Sequence, residues 1–209
     1  MFRNRQDAGQ QLALRLDHLQ GTTPLVLGIL RGGVPVAYEV ARVLRGNLGM
    51  IWVKKIGAPD NPEYAWAAVA DQGEIVTAPR RPVREDEADY LRLQSRRRLR
   101  ELDDWDKRFG PRTSLDLCRQ RVVVVVDDGI ATGASMKAAL LRIRSADPSR
   151  LIAAVPVAPG DSLRTLAEAA DEVIAALIPP GFHAVGAYYA DFRAVSDEEV
   201  AAYLQKPLP

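Results

Sequence analysis

The sequence predicts an α/β protein built on a mostly parallel sheet flanked by helices, and three observations carry that expectation. Residues 25–30, 122–126, 151–157 and 173–177 are apolar at almost every position instead of alternating, as in strands covered on both faces. The first two of these runs are each followed by a glycine-bearing loop and then by apolar residues at helical spacing. Beyond them, strand-like and helix-like stretches continue to alternate, the order expected of a sheet that holds ligands beyond the carboxyl ends of its strands.

Taken in order, Ala8, Leu12, Leu16 and Leu19 recur at helical spacing, so 7–19 reads as an amphipathic helix. The run 25–30 is the first strand. After Arg31-Gly32-Gly33, Pro35 stands in the first turn of a helix whose apolar face is Val36, Ala37, Val40, Ala41 and Leu44. Residues 50–55 read as one short strand ending in Lys54 and Lys55, followed by a Gly/Pro/Asn-rich stretch over 57–62. Residues 66–70 and 74–77 around Asp71-Gln72-Gly73 predict a small hairpin.

The charged segment 80–119 breaks the composition and reads as an insertion. It carries a long helix over 84–109, with Leu91, Leu102, Trp105 and Phe109 on one stripe and Pro111 at its end. Its Arg96, Arg97, Arg98 and Arg100 are offset by Glu101, Asp103, Asp104 and Asp106, which favours a solvated face or a subunit contact over a nucleic-acid site. Five valines, 122–126, form the next strand, and Met136, Ala139, Leu140 and Ile143 mark the helix after its loop. Strand 151–157, helix 163–170, strand 173–177, an irregular segment over 178–192 and a terminal helix over 196–204 complete the chain.

The chemistry concentrates after the valines. Ser135 falls near a helix start, where unpaired N–H groups and the helix dipole favour an anion. Gly133 lets the backbone approach closely, Ala131 and Ala134 leave room for a phosphate, and Thr132 and Ser135 supply hydroxyls. Asp127 and Asp128 would repel that phosphate, but at the strand end they can accept hydrogen bonds from neutral hydroxyls such as a ribose diol. A phosphate beside a diol describes ribose 5-phosphate. A G-x-x-x-x-G-K-S/T loop is excluded because Ala134 follows Gly133, and G-x-G-x-x-G is absent. The bare amides of Gly32 and Gly33 with the Arg31 cation suit a second phosphate, and Lys54 and Lys55 would focus the field there. The plainer alternative is ordinary strand-to-helix turns with solvated charges.

An apolar strand, an acidic pair and a small Thr-Gly-x-Ser loop resemble the signature of the type I phosphoribosyltransferases, whose fold is Rossmann-like with a small hood. The likeness spans about residues 25–192; with the Leu-Arg-Gly-Gly loop, the Val-Lys-Lys strand and the inserted helix, it is closest to an uncharacterised bacterial branch without an assigned acceptor. The resemblance implies that Asp127 and Asp128 hold the ribose hydroxyls of 5-phosphoribosyl pyrophosphate (PRPP), and that 131–135 bind its 5-phosphate. It implies that Arg31, Gly32, Gly33, Lys54 and Lys55 hold the pyrophosphate. Arg31, Asp127 and Asp128 would be the catalytic groups, and residues 57–77 take the place of a mobile loop. Phe182, or His183, would stack on a base-like acceptor, and Mg²⁺ would be held mainly through PRPP oxygens, with Asp191 reaching it through water. Ala131 stands where purine-salvage members carry an Asp that assists base protonation, which argues against 6-oxopurines and leaves a PRPP- or nucleotide-sensing regulator as the alternative to an enzyme of nucleotide metabolism.

At 209 residues, 47% hydrophobic and 26% charged, the chain is expected to fold as a single domain, with a core over about 20–192, the insertion over 80–119 and a hood from the N-terminal segment and 178–209. A net charge of +1 gives no global pull toward nucleic acid. The one cysteine, Cys118, excludes an internal disulfide, and neither a signal core nor a bilayer-length apolar run is present, so a cytoplasmic location without membrane contact is expected. No His/Cys cluster suggests zinc, and a homo-oligomer stays open.

Overall fold

Five consecutive valines can be buried only if both faces of their strand are covered, and the computed structural model, which describes residues 1–70, 75–77, 83–109 and 113–208, shows how. The principal elements in chain order are α1 (Arg5–Ala13), β1 (Leu25–Ile29), α2 (Gly33–Leu44), β2 (Asn47–Ile51), β3 (Val53–Ala58), β4 (Asn61–Ala70), β5 (Ile75–Thr77) and α3 (Ala88–Phe109). They continue with β6 (Val122–Val126), α4 (Ala134–Arg144), β7 (Arg150–Val157), α5 (Gly160–Leu166), β8 (Glu172–Leu177) and α6 (Asp197–Gln205).

The main sheet runs β2-β1-β6-β7-β8 with every neighbouring pair parallel. Alternate residues divide between its two faces: Leu25, Leu27, Val123 and Val125 meet Met136, Ala139, Leu140 and Ile143 of α4 on one side. On the other, Val26, Val124 and Val126 meet Leu12 of α1 and Val36 and Val40 of α2. Each such side chain contributes about 1.5–3 kcal/mol when fully buried. Because the chain leaves β1 toward one edge of the sheet and β6 toward the other, the strand order reverses between them and a crevice opens at their carboxyl ends.

The N-terminal periodicity holds. Asn4 caps α1 by accepting from the Asp7 amide at 2.9 Å, and Ala8, Leu12, Leu16 and Leu19 are fully buried, although residues 14–19 tighten into a 3₁₀ helix. The helix lies mainly on α2 and the sheet, and it is Phe2 ahead of it that joins the C-terminal segment by bridging to Tyr189.

Three expectations change. Residues 50–55 are two strands: β2 ends in the parallel sheet at Ile51, and β3 begins a separate antiparallel sheet, β3-β4-β5, at Val53. Trp52, 1% exposed and packed edge-on to Trp105, is the anchor at which the chain leaves one sheet for the other, and an unbroken apolar run carries no mark of that change of direction. The expected loop over 57–62 is largely a hairpin, Ala58 pairing with Asn61. The segment placed over the crevice as a mobile loop therefore contains β4, whose Trp66 to Ala70 are buried against α3 and α4. Its predicted pairing with β5 is present, but the 71–73 turn lies outside the described residues. Finally, α5 starts at Gly160, earlier than its apolar spacing suggests, because the extended Pro159 ends the preceding segment there.

The helix expected over 84–109 forms as a 3₁₀ turn, Glu85–Glu87, followed by α3. Leu91 packs on the smaller sheet, whereas Trp105 and Phe109 pack toward Trp52 and α6; the Leu102 side chain and Pro111 lie outside the described residues. Ser196 caps α6 with Glu199 as the reciprocal partner, and Val200 is fully buried. Among the described residues no helix is long and apolar enough to cross a membrane.

Candidate functional site

Gly28 of β1 pairs in register with Val126 of β6, so the loops that follow both strands begin side by side. They touch so closely that side chains are excluded. A Cβ on Gly32 would lie 2.1 Å from Asp128 Oδ2, and one on Gly33 would lie 2.5 Å from the Val126 carbonyl. The two loops form the floor of a cavity of about 620 Å³ to which Arg31, Gly32, Asp127, Asp128, Ala131 and Ser135 contribute. Lys54 and Lys55 of β3 supply one wall.

At the phosphate-sized loop, Gly133 takes φ +80° as the N-cap of α4, a conformation that disfavours any side chain. Ser135 Oγ is buried and has no hydrogen-bond partner among the described residues. The loop is pinned from outside by Ser162, whose hydroxyl donates to the Ala131 carbonyl at 2.6 Å. This tie links positions 31 residues apart and has no signature in local sequence.

The twin carboxylates differ in surroundings. Asp127 Oδ1 accepts from the Asp128 amide at 2.9 Å, and burial, reinforced by the neighbouring Asp128 charge, pushes its carboxyl up to about 8. Asp128 is also raised by burial, but Arg5 opposes the shift: Nε and Nη2 of Arg5 both lie 2.8 Å from Asp128 Oδ2. No sequence pattern signals this internal ion pair. It leaves Asp128 Oδ1 and Asp127 Oδ2 as the carboxylate oxygens without a partner among the described residues.

The cations are likewise held. Arg31 reaches Asp197 at the start of α6, at 3.2 Å. Lys54 Nζ lies 3.8 Å above the Trp105 ring and 3.3 Å from Glu101, and burial lowers its pKa against the raising effect of Glu101. Burial would raise Glu101, but Arg98, donating at 2.8 Å, and Lys54 hold it below the usual carboxylate range. The inserted helix α3 thus brings Arg98 and Trp105 to the cavity. Arg5, Arg31, Lys54, Lys55 and Arg98 face it against the carboxylates of Asp127 and Asp128, an excess of positive charge suited to a polyanion.

Residues 4–184 match the family model of the phosphoribosyl transferase domain. The chain belongs to that family. It is 40% identical over 208 residues to the Mycobacterium tuberculosis proteins named "Putative phosphoribosyl transferase Rv0571c" and "Putative phosphoribosyl transferase MT0597", covering 99% of this chain and 47% of each relative. The chain therefore spans about half the length of the curated relatives it matches. The crystal structure of TT1426 from Thermus thermophilus is similar over 98% of this chain and 97% of its own, with 43% identity and a TM-score of 0.78, and it shares the parallel-sheet architecture.

The phosphoribosyl transferase fold here places the residues of the C-terminal segment unequally. Phe182 stacks on Tyr188, with centroids 5.7 Å apart, in a cluster with Phe2 and Tyr189, and His183 is exposed; neither lines the main cavity. Asp191 lines a neighbouring cavity of about 260 Å³ with Asn4, Arg193, Glu199 and Tyr203. Phe192 is the aromatic residue of this segment on the main cavity, and the Arg5 guanidinium lies 4.1 Å from its ring centre. An irregular segment has no periodicity to set its register, so sequence spacing does not tell which of its aromatic residues lines the main cavity. Arg5, Arg98 and Trp105 escape sequence reasoning as site residues because folding, not spacing, brings them there.

Proposed function

We propose that this phosphoribosyl transferase family member moves 5-phosphoribose from PRPP to a nitrogen of a base-like acceptor and releases pyrophosphate. The observation that carries the reading is Ser135 Oγ, a buried hydroxyl without a partner among the described residues at the start of α4, beside a glycine-dependent loop of phosphate size. The 5-phosphate would accept from Ser135 and the Thr132–Ser135 amides. Asp127 and Asp128 would take the ribose hydroxyls through their unpaired oxygens. Arg31, Lys54, Lys55 and the Gly32 and Gly33 amides would receive the pyrophosphate. As the bond from the anomeric carbon to the pyrophosphate oxygen breaks and one to the acceptor nitrogen forms, positive charge grows on the ring and negative charge on the leaving group. The cationic wall stabilises the latter more strongly in the transition state than in the ground state. Mg²⁺ bound to the donor adds charge neutralisation at the pyrophosphate. The carboxylates that line the cavity, Asp127 and Asp128, suit an ion that arrives on the donor's own oxygens.

Ser135→Ala is expected to weaken Mg-PRPP binding at least about ten-fold, since a hydrogen bond to a charged group contributes about 1.5–3 kcal/mol. The melting temperature of the free protein should stay level or rise, because the hydroxyl removed has nothing to bond to among the described residues. Calorimetry showing unchanged PRPP affinity would remove the phosphate from this loop. Pyrophosphate release with a panel of bases tests turnover. Ala131, which has no carboxylate to offer an acceptor, favours a sensing protein as the second reading, and PRPP binding without release from any base would select it.

A further inference from the structure

Arg5 is an unusual wall for a donor site. It belongs to α1, 123 residues before the aspartate it meets, and its side chain is only 11% exposed. Every nitrogen of the guanidinium is engaged: Nε and Nη2 with Asp128 Oδ2, Nη1 with the Arg193 carbonyl at 2.8 Å. Its plane is supported by the Phe192 ring. The group is therefore held by the N-terminal helix, the C-terminal segment around Phe192 and Arg193 and the floor of the cavity at once. Its partner Asp128 is itself pinned, the Tyr189 hydroxyl donating to its carbonyl at 2.6 Å.

The charges around Asp128 give this arrangement a purpose. Asp127 stands next to it, Lys55 faces both carboxylates from β3, and Tyr189 approaches from the C-terminal segment. Two adjacent carboxylates in a low-dielectric pocket tend to share one proton, and a protonated carboxyl loses acceptor capacity. A cation fixed on one oxygen of one of them opposes its protonation and aims its other oxygen.

We propose that Arg5 is a positioning residue for sugar recognition: by gripping Oδ2 of Asp128 it holds Oδ1 as a fixed, anionic acceptor for a ribose hydroxyl, so that the N-terminal helix is part of the donor site. The inference rests on the PRPP reading above and adds to it a residue outside the loops after β1 and β6. Arg5 acts through Asp128, and this dependence can be measured.

Mg-PRPP affinity is to be compared by calorimetry for the full chain and for Arg5→Gln, Arg5→Lys, Asp128→Asn and the Arg5→Gln/Asp128→Asn pair, with melting curves for each. Arg5→Gln should weaken binding at least about ten-fold, and Arg5→Lys, which keeps the charge but not the planar fork, should recover part of that loss and bind more tightly than Arg5→Gln. In the Asp128→Asn background the same Arg5→Gln change should cost less than about two-fold, because the group it serves is gone. If Arg5→Gln melts below the assay temperature, Arg5→Met, which keeps the apolar stem, replaces it; the double variant, free of an orphaned charge, completes the cycle. Equal affinity of Arg5→Gln and the parent, failure of Arg5→Lys to recover, or an undiminished loss in the Asp128→Asn background overturns the proposal and leaves the PRPP reading standing. Absence of PRPP binding by the parent chain removes both.

Discussion

Gly33→Ala is expected to cost the fold on the order of 3 kcal/mol, the upper part of the range for overpacking, or roughly 6–12 °C in melting temperature for a chain of this size. The atoms a methyl group would meet are backbone: the Val126 carbonyl at 2.5 Å, Asp127 Cα at 3.0 Å and Val126 C at 3.3 Å. No side chain can swing aside, so relief requires α2 to lift from the end of β6, against which its Val36 and Val40 are packed. Gly32→Ala makes the contrasting test. Its methyl would meet the Asp128 carboxylate, at 2.1 Å from Oδ2 and 2.7 Å from Cγ, and that group can yield only by leaving Arg5. Gly32→Ala should therefore melt closer to the parent than Gly33→Ala and lose at least about ten-fold in PRPP affinity, the scale of a lost charge-assisted contact. Equal melting temperatures for the two variants would show that the loops are not in contact as described.

The second large effect is on pH dependence. Asp127 titrates at about 8 in the folded chain, through burial first and the Asp128 charge second, whereas an unfolded aspartate titrates near about 3.9. Between those values the folded state holds the proton that the unfolded state has released. Folding stability must then fall as pH rises from about 4 to about 8 on account of this group, and level off beyond both limits. Asp127→Asn removes the titration. Relative to the parent, the variant should gain stability progressively across that window, by a few kcal/mol at its upper end. Glu199 acts at the other extreme: the hydrogen bond from Arg193 holds it down to about 2, so the stability it adds is lost only as pH falls from the ordinary glutamate range through about 2. Denaturant melts of parent and variant at several pH values separate the two, and a difference constant from about pH 4 to about pH 8 would contradict the raised titration of Asp127.

Much of the architecture was legible because it is written locally. The uninterrupted apolar runs in β1, β6 and β7 announce strands covered on both sides, and the stripe Val36, Val40, Leu44 announces the helix that covers one of them. The floor of the cavity was legible for the same reason, since Gly32, Asp127, Asp128 and Ser135 follow those strands directly. What escaped was decided by distant partners. Trp52 lies in a continuous apolar run, and only its packing against Trp105 marks where one sheet ends and another begins. Arg5 reads as one more charge ahead of the helix expected over 7–19 until the fold places it in α1 and sets it against Asp128. Phe192 and Phe182 are equivalent in an aperiodic segment until one meets the Arg5 guanidinium and the other Tyr188.

The in-register pairing of β1 with β6 also limits how this scaffold can diverge. The loops that follow the two strands start one backbone ladder apart, about 4.8 Å, and no exchange of side chains can widen that spacing. Changes in ligand preference must instead come from the rest of the boundary: the inserted helix with Arg98 and Trp105, and the C-terminal segment with Phe192. One part of the molecule behaves as a gauge of constant dimension, the other as the region where selection can work.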